Sequence, residues 1–349
     1  MQDPRPKKIQ PMDYSKTSVS NLVVAFVMFF GVFYLCISYF SVSMNKRIMV
    51  VHKDELDIAL NRASMANKTV IITVLNKAYA EGGSPGKTMA DLFLEGFWLG
   101  DNTHGLVNHV LLVAMDQIAF DRCKFFNLNC YKLETEGVNF GGEQLYMTED
   151  FINMMWRRTQ FLGEVLKRGY NFIFTDMDVM ILRNPVARLI SENETVDFQV
   201  SCDGFNGNPE SEDNHLNTGF YFLRSNNKTI ALFDLWYAMK DNSTGMKEQD
   251  VLIKLMETGV FKQLGVRVRF LDTLYFSGFC QDSRDFNAVT TVHANCCRSI
   301  VAKVADLSAV LRDWKKYKQT MHKYDTSLFK WSNHTACFNS WTNDIQLTR

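Results

Sequence analysis

Hydrophobic positions are unevenly distributed along this 349-residue chain. Leu22 to Val42 carries no charged side chain, and a run of ~20 apolar residues is what crosses ~30 Å of hydrocarbon. It exceeds the ~7–15-residue apolar core of a cleaved signal peptide. The pattern predicts a signal anchor spanning the membrane over residues 21–43, after a tail over 1–20 and before a stem of mixed charge over 44–66. From Val70 the period changes. VIITVL (Val70–Leu75) and HVLLVAM (His109–Met115) read as short buried strands, and helix-like spacing follows each, over Met89–Leu99 and around Gln117–Lys124. Thr148, Glu149 and Asp150 mark a helix start, and Phe151, Met154, Met155, Leu162, Val165 and Leu166 supply its apolar stripe. Gly169 is placed to end it. FIFT (Phe172–Thr175) then reads as a central strand, apolar on both faces. Strands alternating with helices predict one α/β domain over 67–349, a mostly parallel sheet with helices on both faces.

Composition changes this picture little. Hydrophobic residues are 46% and charged residues 22%, as in folded domains. Lys plus Arg (38) equals Asp plus Glu (38), so there is no overall basic footprint and no nucleic-acid partner is expected. The flanks of the apolar run orient it weakly: Arg5, Lys7, Lys8 and Lys16 stand before it, Lys46, Arg47 and Lys53 after it. Five Asn-x-Ser/Thr sequons, at Asn67, Asn193, Asn227, Asn242 and Asn333, all follow the run. So do Cys123, Cys130, Cys202, Cys280, Cys296, Cys297 and Cys337, most of which an oxidising lumen would pair. The expectation is a single-span, type II protein with its large domain in the lumen. An odd cysteine leaves one thiol for a homo-oligomer or a complex.

The chemistry concentrates after FIFT. Asp176-Met177-Asp178 stands at the carboxyl end of that strand, where open α/β sheets bind ligands. Two acids bracketing one residue can hold a divalent cation that leaves positions open for diphosphate oxygens. An ordinary solvated turn would also suit D-x-D. A haloacid-dehalogenase-type phosphohydrolase places D-x-D after a buried strand too, but on its first strand and with Thr or Val two residues on. Here Met180 fills that place and two strands come before.

Four segments in order, FTDMDVMILRNP (Phe174–Pro185), NHLNTGFYFLRSNNKTI (Asn214–Ile230), EQDVL (Glu248–Leu252) and RFLDTLYFSGFC…VHANCC (Arg269–Cys297), resemble the plant nucleotide-diphospho-sugar transferases of glycosyltransferase family 77. The likeness runs from about Val70 to Trp314, and the nearest branch is related to cell-wall arabinosyl- and xylosyltransferases. It implies a GT-A fold, a Golgi type II location, a UDP-sugar donor (arabinose, xylose or galactose) and Mn²⁺, with Mg²⁺ as a substitute. It also implies retention of anomeric configuration and a cell-wall glycan or glycoprotein acceptor. By this resemblance Asp176, Asp178 and His293 hold the metal. Thr73, Asn76 and Tyr79 meet the nucleoside and Arg158 meets the donor. Asn217, Thr218 and Gly219 line the sugar cleft, and Glu248, Gln249 and Asp250 stand beside the anomeric carbon. Two positions depart from the family, Met180 where Trp is common and Ile253 where Asn is. A protein that keeps this fold as a catalytically silent lumenal scaffold is the alternative.

Overall fold

The computed structural model describes residues 28–35, 38, 55–84, 86–135, 140–144, 146–190, 195–321 and 329–341. The chain divides into two units, residues 1–55 and 56–349. In the first, residues 28–35 are helical. Most of the expected span over 21–43 lies outside the described residues, among which no helix is long and apolar enough to cross a membrane.

The second unit is built on local signals that the chain writes plainly. The strand β1 (Thr69–Leu75) is a β-branched run, buried at nearly every position. Helix α1 (Met89–Leu99) opens on a capping box between Thr88 and Asp91. After β2 (Val110–Ala114), Asp116 accepts from the Ala119 N–H and starts α2 (Gln117–Phe125), which leads to β3 (Asn129–Lys132). Thr148 caps α3 (Glu149–Lys167), whose first turn carries Glu149 and Asp150. Gly169, at φ +77°, takes the left-handed conformation that turns the chain into β4 (Asn171–Thr175).

Among the further elements are β5 (Val179–Ile181), β6 (Phe198–Gly204), β7 (His215–Leu223), α4 (Asn227–Ala238), α5 (Glu248–Glu257), β8 (Val268–Phe270), β9 (Phe276–Gly278), β10 (Thr291–His293), α6 (Ile300–Thr320) and α7 (Thr335–Asn339). The large sheet has the order β8-β6-β7-β4-β1-β2-β3. Every neighbouring pair is parallel except those made by β7, which runs against β4 and β6. The expected mostly parallel sheet is present. A third strand of this sheet, β3, comes before β4, where the sequence pattern suggests two. β3 is short and only partly buried, so it carries no apolar run. A small sheet, β9-β10-β5, stands apart.

The sheet separates two apolar clusters. One contains Phe93 and Phe97 of α1 with Val304, Leu311 and Trp314 of α6; the other contains Phe161 and Leu162 of α3, Trp236 of α4 and Leu252 of α5. Helices therefore cover both faces, as the alternation predicts. Leu56, Leu60 and Ala63 join the second cluster from a helical stretch over residues 55–63, so the compact unit begins at Leu56 and includes part of the region read as stem. That stretch is short and mixed in charge, and only three of its side chains are buried.

Disulfides join Cys123 to Cys130, Cys280 to Cys296 and Cys297 to Cys337. Cys202 is unpaired but buried on β6, and burial pushes its thiol up to about 12. An intermolecular bridge through that thiol is closed off by the core around it. Asn67, Asn227, Asn242 and Asn333 of the sequons are exposed, and Asn193 lies outside the described residues.

Candidate active site

The strand order turns back between β1 and β4, since β2 and β3 lie to one side of β1 and β4 to the other. That switch point, at the carboxyl ends, opens the crevice in which such sheets bind ligands. A cavity of about 310 Å³ lies there. Asn76 and Tyr79 reach it from the end of β1, Asp176 and Asp178 from the turn after β4, and Asn217 and Thr218 from antiparallel β7. Met177, between the two acids, is buried in the core and anchors their turn.

His293 comes from far along the chain. It ends β10, which pairs with β5 so that His293 lies opposite Val179, and the Ala294 N–H donates to the Asp178 carbonyl at 3.0 Å. Asp176, Asp178 and His293 thus present three ligand atoms within 4.8 Å of one another. Gly219 makes the approach possible. A Cβ there would lie 2.3 Å from His293 Cε1 and 3.0 Å from Asp176 Oδ2. Two carboxylates and an imidazole suit Mn²⁺ better than Ca²⁺, and the fit of this trio to a divalent cation rests on that donor set and its close convergence.

Positive charge surrounds the acids. Lys303, on the first turn of α6, places Nζ 2.8 Å from Asp178 Oδ2, and His293 Nε2 is 3.4 Å from Oδ1. Burial opposes the charge on Asp178, yet Lys303 and His293 hold its carboxyl well below the usual range. Burial pushes Asp176 up to about 6 against the pull of Arg158. Burial would lower the His293 imidazole, but Asp178 keeps it raised. Tyr79 is pushed up to about 12 by burial, so its phenol stays protonated.

Arg158 ties this cluster to a second one. Its guanidinium donates to Asp176 Oδ1 at 2.8 Å and to Glu248 Oε1 at 2.7 Å, from a side chain 4% exposed on α3. The Thr218 hydroxyl stands 2.9 Å from Glu248 Oε1 and 3.1 Å from Gln249 Oε1, and the Thr218 N–H donates to Gln249 Oε1 at 3.0 Å. Glu248 Oε2 is buried without a hydrogen-bond partner.

Most of the expected site residues line this cavity, but three do not: Gly219, which backs His293 and Asp176, and Thr73 and Asp250. Thr73 points to the face of Ile71 and Leu75, and its neighbour Val74 lines the cavity instead. Alternation along a strand makes one residue the difference between two faces. Asp250 also stands outside the lining, while Glu248 and Gln249 occupy it. A helix turns about 100° per residue, so three consecutive side chains cannot all face one cavity.

Sequence reasoning missed Lys303, which lines the cavity together with Asp203. Asp203 accepts from Asn217 Nδ2 at 2.9 Å and Asn295 Nδ2 at 2.7 Å. For Lys303 a faint signal exists, because a cation near a helix N-terminus opposes the dipole and needs a local partner.

The profile of the nucleotide-diphospho-sugar transferase family matches residues 105–307. A protein of Arabidopsis thaliana carried as uncharacterised is 52% identical over 331 residues, 94% of this chain and 97% of that one. A UDP-galactose:fucoside α-3-galactosyltransferase of Dictyostelium discoideum is 25% identical over 154 residues, 38% of this chain and 24% of its own. A β-arabinofuranosyltransferase of Arabidopsis thaliana is 39% identical over 72 residues, 20% of this chain and 13% of its own.

Proposed function

Because this chain belongs to the nucleotide-diphospho-sugar transferase family, we propose that it moves a sugar from a UDP-sugar to a glycan or glycoprotein acceptor with retention of configuration. The observation that carries the reading is the convergence of Asp176, Asp178 and His293 beside the buried Arg158–Glu248 pair in one cavity. The proposal includes a GT-A fold, membership of glycosyltransferase family 77, Mn²⁺ as the ion and a Golgi type II location. Three disulfides and four exposed sequon asparagines support a lumenal domain. Galactosyl and arabinofuranosyl transfer by the two named relatives supports a hexose or pentose donor.

Asp176, Asp178 and His293 would hold the cation, which when bound neutralises charge on the departing diphosphate. Lys303 and Arg158 add fixed positive charge beside it, in a buried site where such charge acts strongly. Glu248 is the acid suited to a developing oxocarbenium ion: it lines the cavity, is buried, and has one carboxylate oxygen uncommitted. Gln249 has its Oε1 engaged by Thr218 and carries no charge, so it orients rather than attacks. The acceptor oxygen then approaches from the face the diphosphate leaves, and its proton passes to a departing phosphate oxygen.

Thermal melting with Mn²⁺ and a panel of UDP-sugars tests the reading. A donor present at 100 times its dissociation constant raises stability by ~2.7 kcal/mol. No shift with any sugar nucleotide would leave the silent scaffold standing.

A further inference from the structure

A second cavity, of about 480 Å³, abuts the first. Cys296 and Trp341 line both. The rest of its wall is rich in aromatic rings: Phe279, Trp331, His334 and Phe338, with the Asp282 carboxylate among them. Phe338 is 72% exposed and Trp341 is 44% exposed, a costly display for large apolar side chains unless something covers them.

These rings are held in place. The Trp341 indole N–H donates to the Cys296 carbonyl at 2.8 Å, and Trp331 donates to the Ser283 carbonyl at 2.9 Å while stacking on Phe286. His334 stacks on Phe279 at 3.6 Å, and its Nε2 lies 2.9 Å from Asp282 Oδ1. The segment that presents Phe338 is stapled by the Cys297–Cys337 disulfide, and Asp306 accepts from the Cys337 N–H at 2.7 Å. Rings fixed before a ligand arrives lose little entropy on binding it.

We propose that this groove holds the glycan chain of the acceptor, a neutral oligosaccharide lying on Phe338 and the His334–Phe279 stack with its terminal hydroxyl directed past Trp341 into the cleft. The inference rests on the reading of the cleft as a donor site. A sugar ring offers an apolar C–H face to an aromatic ring and hydroxyls to a carboxylate, which is the mixture this wall presents. An apolar peptide would bury the Asp282 carboxylate with His334 as a partner but nothing for its remaining lone pairs, at a cost. An acidic saccharide would meet the same carboxylate as a like charge.

The test is calorimetric titration of the full-length protein with neutral arabino-oligosaccharides of one to four residues and with tetragalacturonate, and separately with UDP and Mn²⁺. Affinity should rise at least tenfold from the single sugar to the neutral tetramer, and tetragalacturonate should bind far more weakly. Phe338→Ala and His334→Ala should each flatten the rise, and UDP–Mn²⁺ binding reports whether each variant is folded. Absent binding of the neutral tetramer, a rise that persists in both variants, or equal binding of tetragalacturonate overturns the proposal. So does a tenfold gain after enzymatic removal of N-glycans, which would give the groove to a glycan on Asn333, or after deletion of residues 342–349, which would give it to that segment. A wild-type protein that shows the length dependence but ignores UDP and Mn²⁺ keeps the groove and loses the donor reading.

Discussion

Asp178 and Glu248 are carboxylates in one cavity, 3% and 1% exposed, and their surroundings could hardly differ more. Asp178 sits between a lysine and a histidine, with both oxygens engaged. Glu248 shares a single arginine with Asp176, takes one hydroxyl, and leaves Oε2 without a partner. A buried charge is stable only where its field is answered. Around Asp178 the answer is complete and cationic, which favours a permanent negative charge able to hold a metal ion. Around Glu248 it is partial, and the uncommitted oxygen is available to positive charge that appears only during a reaction. On the proposed reading, two acids of one type are divided between a binding role and a catalytic one.

Removing the charge at each end should separate these roles. Asp178→Asn carries the largest expected effect: Mn²⁺-dependent donor binding lost in calorimetry, and turnover down by ~10³-fold, because charge neutralisation by a metal is worth several kcal/mol. Unchanged Mn²⁺-dependent binding would erase the contrast. Glu248→Gln should lower kcat by ~10²-fold, the scale of one misplaced electrostatic group, while donor Kd barely moves. A variant in which kcat holds and Kd collapses would place Glu248 with the binding acids.

Gly219→Ala sharpens the metal-binding side, through His293 and Asp176. Its methyl group must displace the His293 ring, 2.3 Å away, and Mn²⁺ affinity should fall by ~10–100-fold, as when ligand orientation is lost. The methyl does not approach Glu248, so UDP-sugar turnover at saturating Mn²⁺ should largely recover.

The smallest effect is a pH dependence. Burial raises the folded-state pKa of Asp176 to about 6, above the ordinary carboxylate value. The folded protein therefore keeps a proton that the unfolded chain has already released, and the contribution of this group to stability declines as pH rises through the folded pKa. In chelator, the melting temperature should fall slightly between pH 4 and pH 6, with a third of the Asp176 side chain open to solvent to temper it. Mn²⁺ affinity should rise over the same window, since the ion competes with that proton. Affinity flat from pH 4 to 7 would remove Asp176 from the ligand set.

Much of the scaffold is written in the chain because its causes are local. Thr148, Glu149 and Asp150 start α3 through a cap and a dipole, Gly169 ends it, and β1, β2 and β4 are apolar runs that need cover on two faces. The D-x-D acids are legible for the same reason, standing next to one such run. Thr73 and Asp250 stand outside the lining because facing is decided residue by residue along a strand or helix, and a motif does not carry that phase.

What the sequence determined by itself is therefore the alternation of strands and helices and the end of the sheet that bears the acids, both set by near neighbours. The tertiary structure alone decided which distant groups meet those acids. Lys303 reaches Asp178 because α6 starts beside the cleft, Glu248 reaches Arg158 because α5 begins against α3, and Trp341 arrives at the rim through a segment stapled by Cys297 and Cys337. These partners are separated by dozens of residues or more, and no local pattern encodes a contact that exists only after the sheet has assembled and its two faces have been covered.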